Sequence, residues 1–376
     1  MSGKIAYFIP TLKLAGTSTQ ALVFCEAMSA AGYDVDLVVS SKRGVFLDAV
    51  LDDLYSVHYL KRVKYFTKIF TIFYLMRYLR RYKPTLLFGG AKGVNKLAIY
   101  ANLLSFKSTK LAVILTNDLL QRTYPRDRGR AISRRWHFFL YRFADHVIVL
   151  TDTMKRHFVA VGYRADKITV LPPPISLETI RQKSEAPLDH PWLQAPRTER
   201  DIPVILAVGR IALQKNYPLL LEAFKIARES RPMRLIIVGA GTEKATIEIK
   251  QLAKDYGIRE DIDFVGFSNN PFHYMQRCDL FALSSHWEGF GIVVAEALAC
   301  GTTVASVDCP DGPREILGGN KYGYLAEPHD PESLAQALLD GLERPLDPVA
   351  LMQRAAAYDG PLISEDYRRL IQSMTA

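Results

Sequence analysis

Apolar runs of strand length alternate with amphipathic segments of helix length along almost the whole chain. This is the pattern of parallel sheets whose strands are buried on both faces and covered by helices. In the first half the runs predict strands at Ile5–Ile9, Val35–Val39, Val57–Leu60, Thr85–Phe88, Leu111–Leu115 and His146–Leu150, with helices between them. The pattern lapses between residues 171 and 203, where Leu171-Pro-Pro-Pro174 is followed by Pro187, Pro191, Pro196 and Pro203. Proline density of this kind suits an interdomain linker. A second series then predicts strands at Val204–Val208, Leu235–Val238, Phe264–Gly266, Leu280–Leu283 and Thr303–Val307.

At 376 residues the chain is too long for one ordinary core. The expected organisation is an α/β protein with two doubly wound parallel-sheet domains: residues 1–175, a linker at 176–202, residues 203–355, and C-terminal helices at 356–376 packing back towards the first domain. Ligands of such sheets bind at the carboxyl ends of the strands, so two facing sheets are expected to hold a site in the cleft between them.

The chemistry concentrates in H286-W-E-G-F-G-I-V-V-A-E-A-L-A-C-G301. After the strand Leu280–Leu283 the chain must turn, and a helix is expected from about Phe290 to its stop at Gly301. Gly289 and Gly291 permit tight backbone geometry, and the amides of Phe290, Gly291, Ile292 and Val293 are expected to form a phosphate-binding helix start. Glu288 and Glu296 stand eight residues apart, roughly 12 Å if helical, the reach of a nucleoside diphosphate sugar from its sugar hydroxyls to its ribose diol. A helix-dipole glutamate and a surface glutamate are the alternative reading of the pair. The strand Val204–Val208 runs into G209-R-I-A-L-Q-K-N-Y217, where Arg210 and Lys215 are placed to neutralise a diphosphate, the first by a forked contact and the second as a point charge.

Taken together, G209-R210…K215-N216, V238-G-A-G241, F264-V-G-F267, E288-G-F-G-I-V-V-A-E296-A-L-A-C-G301 and G312-P-R-E-I316 resemble the donor-binding half of the retaining family 4 glycosyltransferases, with a weaker likeness across residues 1–180. The resemblance implies two Rossmann-like domains facing a cleft, the GT-B architecture. It implies that Arg210 and Lys215 hold the donor diphosphate, with Gly209 and Gly239 beside them, and that Glu296 holds the ribose hydroxyls. Glu288 would bind the transferring sugar with the Gly289–Val293 backbone, and Phe267 and Ser268 would lie near the base. The run D308-C-P-D-G-P-R-E-I-L317 is similar to that of bacterial enzymes building surface polysaccharides and lipid-linked glycans. The family's first loop carries paired glycines where this chain has K13-L-A-G-T-S18, so only Gly16 and Thr17 carry over as phosphate or sugar contacts. Where the family often has a histidine this chain has T116-N-D118. Asn117 is a candidate to orient an acceptor hydroxyl and Asp118 to accept its proton, a local cap or turn residue being the alternative for Asp118.

Other signals are set aside. Gly239-A-Gly241-T-E-Lys244 has Lys244 where a dinucleotide fingerprint needs its third glycine. D34-V-D36 and D261-I-D263 each open an apolar strand and read as polar residues at strand entry rather than metal ligands. The eight histidines lack metal-ligand spacing, and His286 either lines the site or is packed or at the surface. The four cysteines form no C-x-x-C pair, which reads as reduced thiols in a cytosolic protein. The apolar part of K4-I-A-Y-F-I-P10 is too short for a secretory signal.

Charge adds one further element. Residues 1–150 carry 23 Lys and Arg against 9 Asp and Glu, a balance of +14 that leaves −5 for the remainder, so the first half should meet something anionic. H58-Y-L-K-R-V-K-Y-F-T-K-I-F-T-I-F-Y-L-M-R-Y-L-R-R-Y-K83 interleaves cations with aromatic and aliphatic residues, as in a helix lying in the headgroup plane of an anionic membrane. R122-T-Y-P-R-D-R-G-R-A-I-S-R-R-W136 would reinforce it. A buried domain helix with solvated charges is the other reading; no nucleic-acid-binding module is discernible. The expectation is a cytoplasmic, peripheral inner-face enzyme without cofactor or obligatory metal. It would move a hexosyl or N-acetylhexosaminyl group from a nucleotide sugar, expected to be a UDP-sugar, to a lipid-linked or glycan acceptor. A nucleotide-sugar epimerase or phosphorylase on the same scaffold, and a non-catalytic sugar-nucleotide-binding subunit, remain as alternatives.

Overall fold

The computed structural model describes residues 3–12, 16–41, 54–60, 67–116 and 139–375. The chain divides into two compact units, Met1–Pro174 with Gly360–Ala376, and Ile175–Asp359.

In the first unit, strands β1 (Lys4–Ile9), β2 (Asp34–Val39), β3 (Ser56–Tyr59), β4 (Leu86–Gly89), β5 (Lys110–Leu115), β6 (His146–Val149) and β7 (Ile168–Val170) form a sheet of order β3-β2-β1-β4-β5-β6-β7. Its neighbours pair in parallel. Among the described residues, helices α1 (Gly16–Ala30), α2 (Thr67–Tyr82), α3 (Lys92–Leu104) and α4 (Asp152–Ala160) make the crossovers from β1, β3, β4 and β6. Residues Ile5–Ile9, Leu37–Val39 and Leu111–Leu115 are buried without alternation, because helices cover both faces.

The second unit repeats the plan. Strands β8 (Val204–Val208), β9 (Arg234–Val238), β10 (Ile262–Gly266), β11 (Leu280–Leu283), β12 (Val304–Val307) and β13 (Tyr324–Ala326) are ordered β10-β9-β8-β11-β12-β13, again parallel. The strand order reverses between β8 and β11. In open parallel sheets ligands bind at the carboxyl ends of the strands beside such a switch point. The helices are α5 (Leu177–Ser184), α6 (Tyr217–Ser230), α7 (Glu243–Asp255), α8 (Phe272–Arg277), α9 (Ile292–Ala299), α10 (Pro313–Ile316), α11 (Pro331–Glu343) and α12 (Pro348–Ala356).

Helix α13 (Gly360–Thr375) falls with the first unit, where Tyr367 meets Phe24 edge-on with ring centroids 5.0 Å apart. The proline-rich stretch 176–202, expected as a linker, falls with the second unit and carries α5. Ser176 caps that helix by accepting from the Thr179 amide at 3.2 Å. The Ile175 amide donates to Tyr358 O at 2.9 Å and the Leu177 amide to the Asp359 carboxylate at 3.2 Å, joining the unit's entry to its exit.

The acidic pairs have structural partners. Asp36 is fully buried, accepting from Lys4 at 3.0 Å and from the Tyr78 hydroxyl, with His58 Nε2 3.3 Å away. Asp263 meets His190 at 2.9 Å and Asp261 pairs with Arg228. Among the described residues no group of three His, Cys, Asp or Glu is arranged to hold a metal.

Candidate functional site

The loops that leave β8, β9, β10, β11 and β12 lie at one edge of the six-stranded sheet, and hydrogen bonds between them fix their backbones. The Gly209 amide donates to Val238 O at 2.9 Å, the Ile211 amide to Ala240 O at 3.0 Å, and the Gly239 amide to Gly266 O at 2.7 Å. At Gly239 the contact is backbone on backbone: a Cβ there would stand 1.9 Å from Gly209 O, so the two loops approach this closely only without a side chain.

Lys215 ends a short 3-10 turn, Leu213–Lys215, after β8, and its Nζ lies 2.8 Å from Glu288 Oε1. The Ser285 hydroxyl donates to the same oxygen at 2.6 Å, and Glu288 is buried, with 8% of its surface exposed. The β8 and β11 loops are held in register by three further bonds. The Gln214 side chain donates to Trp287 O at 3.0 Å, the His286 amide donates to Gln214 O at 2.8 Å, and the Ser284 hydroxyl donates to Lys215 O at 2.8 Å. Beneath them the Tyr217 hydroxyl donates to Gly209 O at 2.8 Å. A cation and a buried carboxylate are thus presented together at the switch point.

The helix after Glu288 begins at Ile292, two residues later than expected, because Gly291 adopts φ 88 and ψ 47 and breaks the helical path before it. The Phe290 and Gly291 amides therefore lie in the approach, while those of Ile292 and Val293 open the first turn. The helix ends as expected: Gly301 takes φ 68, its amide donates to Leu298 O at 2.9 Å, and the Thr302 amide to Ala297 O at 3.0 Å. With Glu288 outside the helix, the 12 Å helical spacing does not describe the two glutamates. Glu296, the fifth helical residue, is half-buried. Burial pushes its carboxyl up to about 7, and the Lys215 charge opposes that rise. Burial and the neighbouring His329 hold His286 below its ordinary value.

The structure therefore gathers Gly209, Lys215, Gly239 and the Glu288–Val293 stretch, with Glu296 within reach of Lys215's charge. Arg210 follows Gly209 and is exposed, and Phe267, 58% exposed, and the half-buried Ser268 leave β10 on the same edge. Gly16 and Thr17 open α1 in the first unit, after β1. Asn117, Asp118 and the basic run 122–136 lie outside the described residues.

Sequence reasoning gave no role to Ser284, Ser285 and Gln214, and read the loop after β12 only as part of the family resemblance. In that loop Pro310 O accepts from the Glu288 amide at 3.4 Å, and Gly312 sits against Phe290. A polar pair three and four residues ahead of a glutamate, just past a strand's carboxyl end, was the available signal for the two serines.

Residues 192–358 match the family model Glycosyl transferases group 1, and residues 14–179 match Glycosyltransferase Family 4. Over 166 residues the chain is 37% identical to the N-acetylgalactosamine-N,N'-diacetylbacillosaminyl-diphospho-undecaprenol 4-alpha-N-acetylgalactosaminyltransferase of Campylobacter jejuni, a stretch covering 43% of this chain and 44% of that protein. The matched stretch thus spans less than half of that relative. The amylovoran biosynthesis glycosyltransferase AmsD of Erwinia amylovora is 26% identical over 312 residues, 82% of this chain and 81% of the relative. The crystal structure of Anabaena HepE in complex with UDP superposes with a TM-score of 0.78 at 18% identity, over 98% of this chain and 100% of that one. At that identity the likeness speaks for the fold.

Proposed function

The chain belongs to the family 4 glycosyltransferases, and from that premise we propose that it moves a hexosyl or N-acetylhexosaminyl group from a nucleotide sugar to a hydroxyl of a lipid-linked or glycan acceptor in bacterial glycan assembly. The donor is a UDP-sugar and transfer retains anomeric configuration. The observation that carries this reading is the Lys215–Glu288 pair, 2.8 Å apart at the carboxyl edge of a sheet within the group 1 match. The acceptor class is supported by the name of the Campylobacter relative, and the donor class by the UDP in the HepE structure.

As the glycosidic bond to the donor breaks, charge gathers on the leaving diphosphate. In this reading Lys215, Arg210 and the Ile292 and Val293 amides meet that charge. The amides keep their direction because the helix fixes them, so they need no reorganisation as charge develops. Glu288 holds hydroxyls of the sugar, and Glu296 accepts from the ribose diol. The leaving phosphate takes the acceptor proton, so the scheme asks for no separate base and no obligatory metal.

Glu296 offers both carboxylate oxygens as acceptors to a diol only when ionised, and protonation turns one of them into a donor, so its elevated pKa makes a pH prediction. Donor affinity should rise as pH climbs through about 7 and level off above it, weakening by up to roughly tenfold for each unit below. Calorimetric titration of UDP at about pH 6 and about pH 8 checks this. The dependence should vanish in Glu296→Gln.

The enzyme works at the inner face of an anionic membrane, a placement supported by the basic first half. Among the described residues no helix is long and apolar enough to cross a membrane. The whole reading is tested by measuring sugar transfer across UDP-, GDP- and ADP-sugars with crude membrane lipid as acceptor. Transfer with release of UDP is expected; an epimerised donor, phosphate-dependent cleavage, or binding without turnover on any acceptor would contradict it.

A further inference from the structure

Between Asp53 and Asp118 the chain has 12 Lys and Arg and no Asp or Glu. Within that segment α2 buries Leu75, Tyr78 and Leu79 and turns Ile69, Phe73, Arg77 and Arg80 outward. Their spacings of four, four and three residues place these side chains on one face. Ile69 is 64% exposed and Phe73 50%. The line ends at Arg80, whose guanidinium donates to Leu104 O at 2.7 Å and lies 5.5 Å from the centre of the Phe106 ring.

Phe106 is unusual in two independent ways. Its side chain is 87% exposed, and beside it Leu104 is 54% exposed. Its backbone is left-handed, φ 60, and so is that of Lys107, φ 53. The reason is the end of α3: the Phe106 amide donates to Leu103 O at 3.0 Å and the Lys107 amide to Asn102 O at 2.8 Å. This is the helix stop in which the residue after the cap is left-handed and glycine is the favoured occupant. An aromatic residue there costs the fold conformational energy while contributing little buried area. Folding alone favours glycine at this position.

We infer that Phe106, with Leu104 and the Ile69–Phe73 end of α2, inserts into an anionic lipid surface while Arg77, Arg80 and Lys107 meet its headgroups. The inference deepens the membrane reading proposed above and rests on it. Exposed apolar side chains beside Arg77, Arg80 and Lys107 suit a bilayer, which yields to a protruding ring and needs no matching pocket. The long arginine and lysine stems reach headgroup phosphates while the rings sink below them.

The test is co-sedimentation of the full chain with vesicles of equal parts phosphatidylglycerol and phosphatidylcholine, and with phosphatidylcholine alone. Binding to the anionic vesicles is expected, weakened by about tenfold or more in Phe106→Gly. The melting temperature of that variant should be unchanged or higher, because glycine relieves the left-handed backbone. In Phe106→Trp, binding should persist and the fluorescence should shift to the blue when anionic vesicles are added. If the wild type ignores both vesicles, the membrane reading falls and this inference with it. If the wild type binds and Phe106→Gly binds equally, or Phe106→Trp shows no shift, the inference alone is overturned. If the substitution instead changes the sedimentation state of vesicle-free protein, the face is a protein interface and the inference fails.

Discussion

Lys215→Ala is expected to lower kcat/KM for the nucleotide sugar by about 10²- to 10³-fold, the scale for truncating one member of a desolvated charge pair. The lysine stands only 18% exposed beside Glu288, so its charge is little screened. Its loss would act twice. The diphosphate would lose a fixed cation, which weakens donor binding, and the transition state would lose the same group when the leaving charge is greatest. Glu288 would keep the Ser285 hydroxyl but lose its counter-ion, lowering stability by about 1–3 kcal/mol. Glu288→Gln separates the two roles, since it should depress turnover far more than UDP binding. Steady-state kinetics paired with UDP titration distinguishes them.

Gly312→Ala is expected to be the more damaging change to the fold. A Cβ at this position would stand 1.7 Å from Phe290 O and 2.4 Å from its carbonyl carbon, and the residue holds φ 104. Both atoms are backbone, so no rotamer change relieves the clash, and a non-glycine residue is strained there in any case. Backbone strain of about 1–3 kcal/mol with overpacking of about 1–3 kcal/mol gives a loss of about 2–6 kcal/mol. The relief available is movement of the β12 loop away from Glu288 and Phe290, which breaks the contact of Pro310 O with the Glu288 amide. Thermal unfolding should therefore move to lower temperature, and the protein that remains folded should turn over poorly even at saturating donor. An alanine variant with wild-type melting and kinetics would show that this loop does not brace the site.

Most of the fold was legible because strands buried on both faces leave continuous apolar runs that few other elements imitate. β7 and β13 were missed: three residues at a sheet edge make too short a run to stand out. Helix α5 was hidden within the proline-rich stretch, since its sequence LETIRQKS buries only Ile180 and Ser184 and is supported by Ser176 and a Glu178–Arg181 pair.

In the site, Lys215 and Glu288, which the structure brings together, were legible because each stands on a loop that leaves a strand at the same sheet edge. Gln214 and Ser284 were not, since their bonds join loops about seventy residues apart, and Ser285 was overlooked although its bond to Glu288 spans only three residues. The start of α9 moved to Ile292 because glycine permits both helix and left-handed backbone, and only the packed loop decides between them. Phe106 gave no periodic signal at all; its interest lies in a backbone conformation that the sequence does not advertise.

The measurement that bears most directly on the donor site is a crystal structure of the protein grown with UDP. The account predicts the diphosphate within hydrogen-bond distance of Lys215 Nζ and the Ile292 and Val293 amides, with the ribose diol on the Glu296 carboxylate. UDP bound elsewhere, with Arg210 and Glu296 turned away from it, would contradict the account.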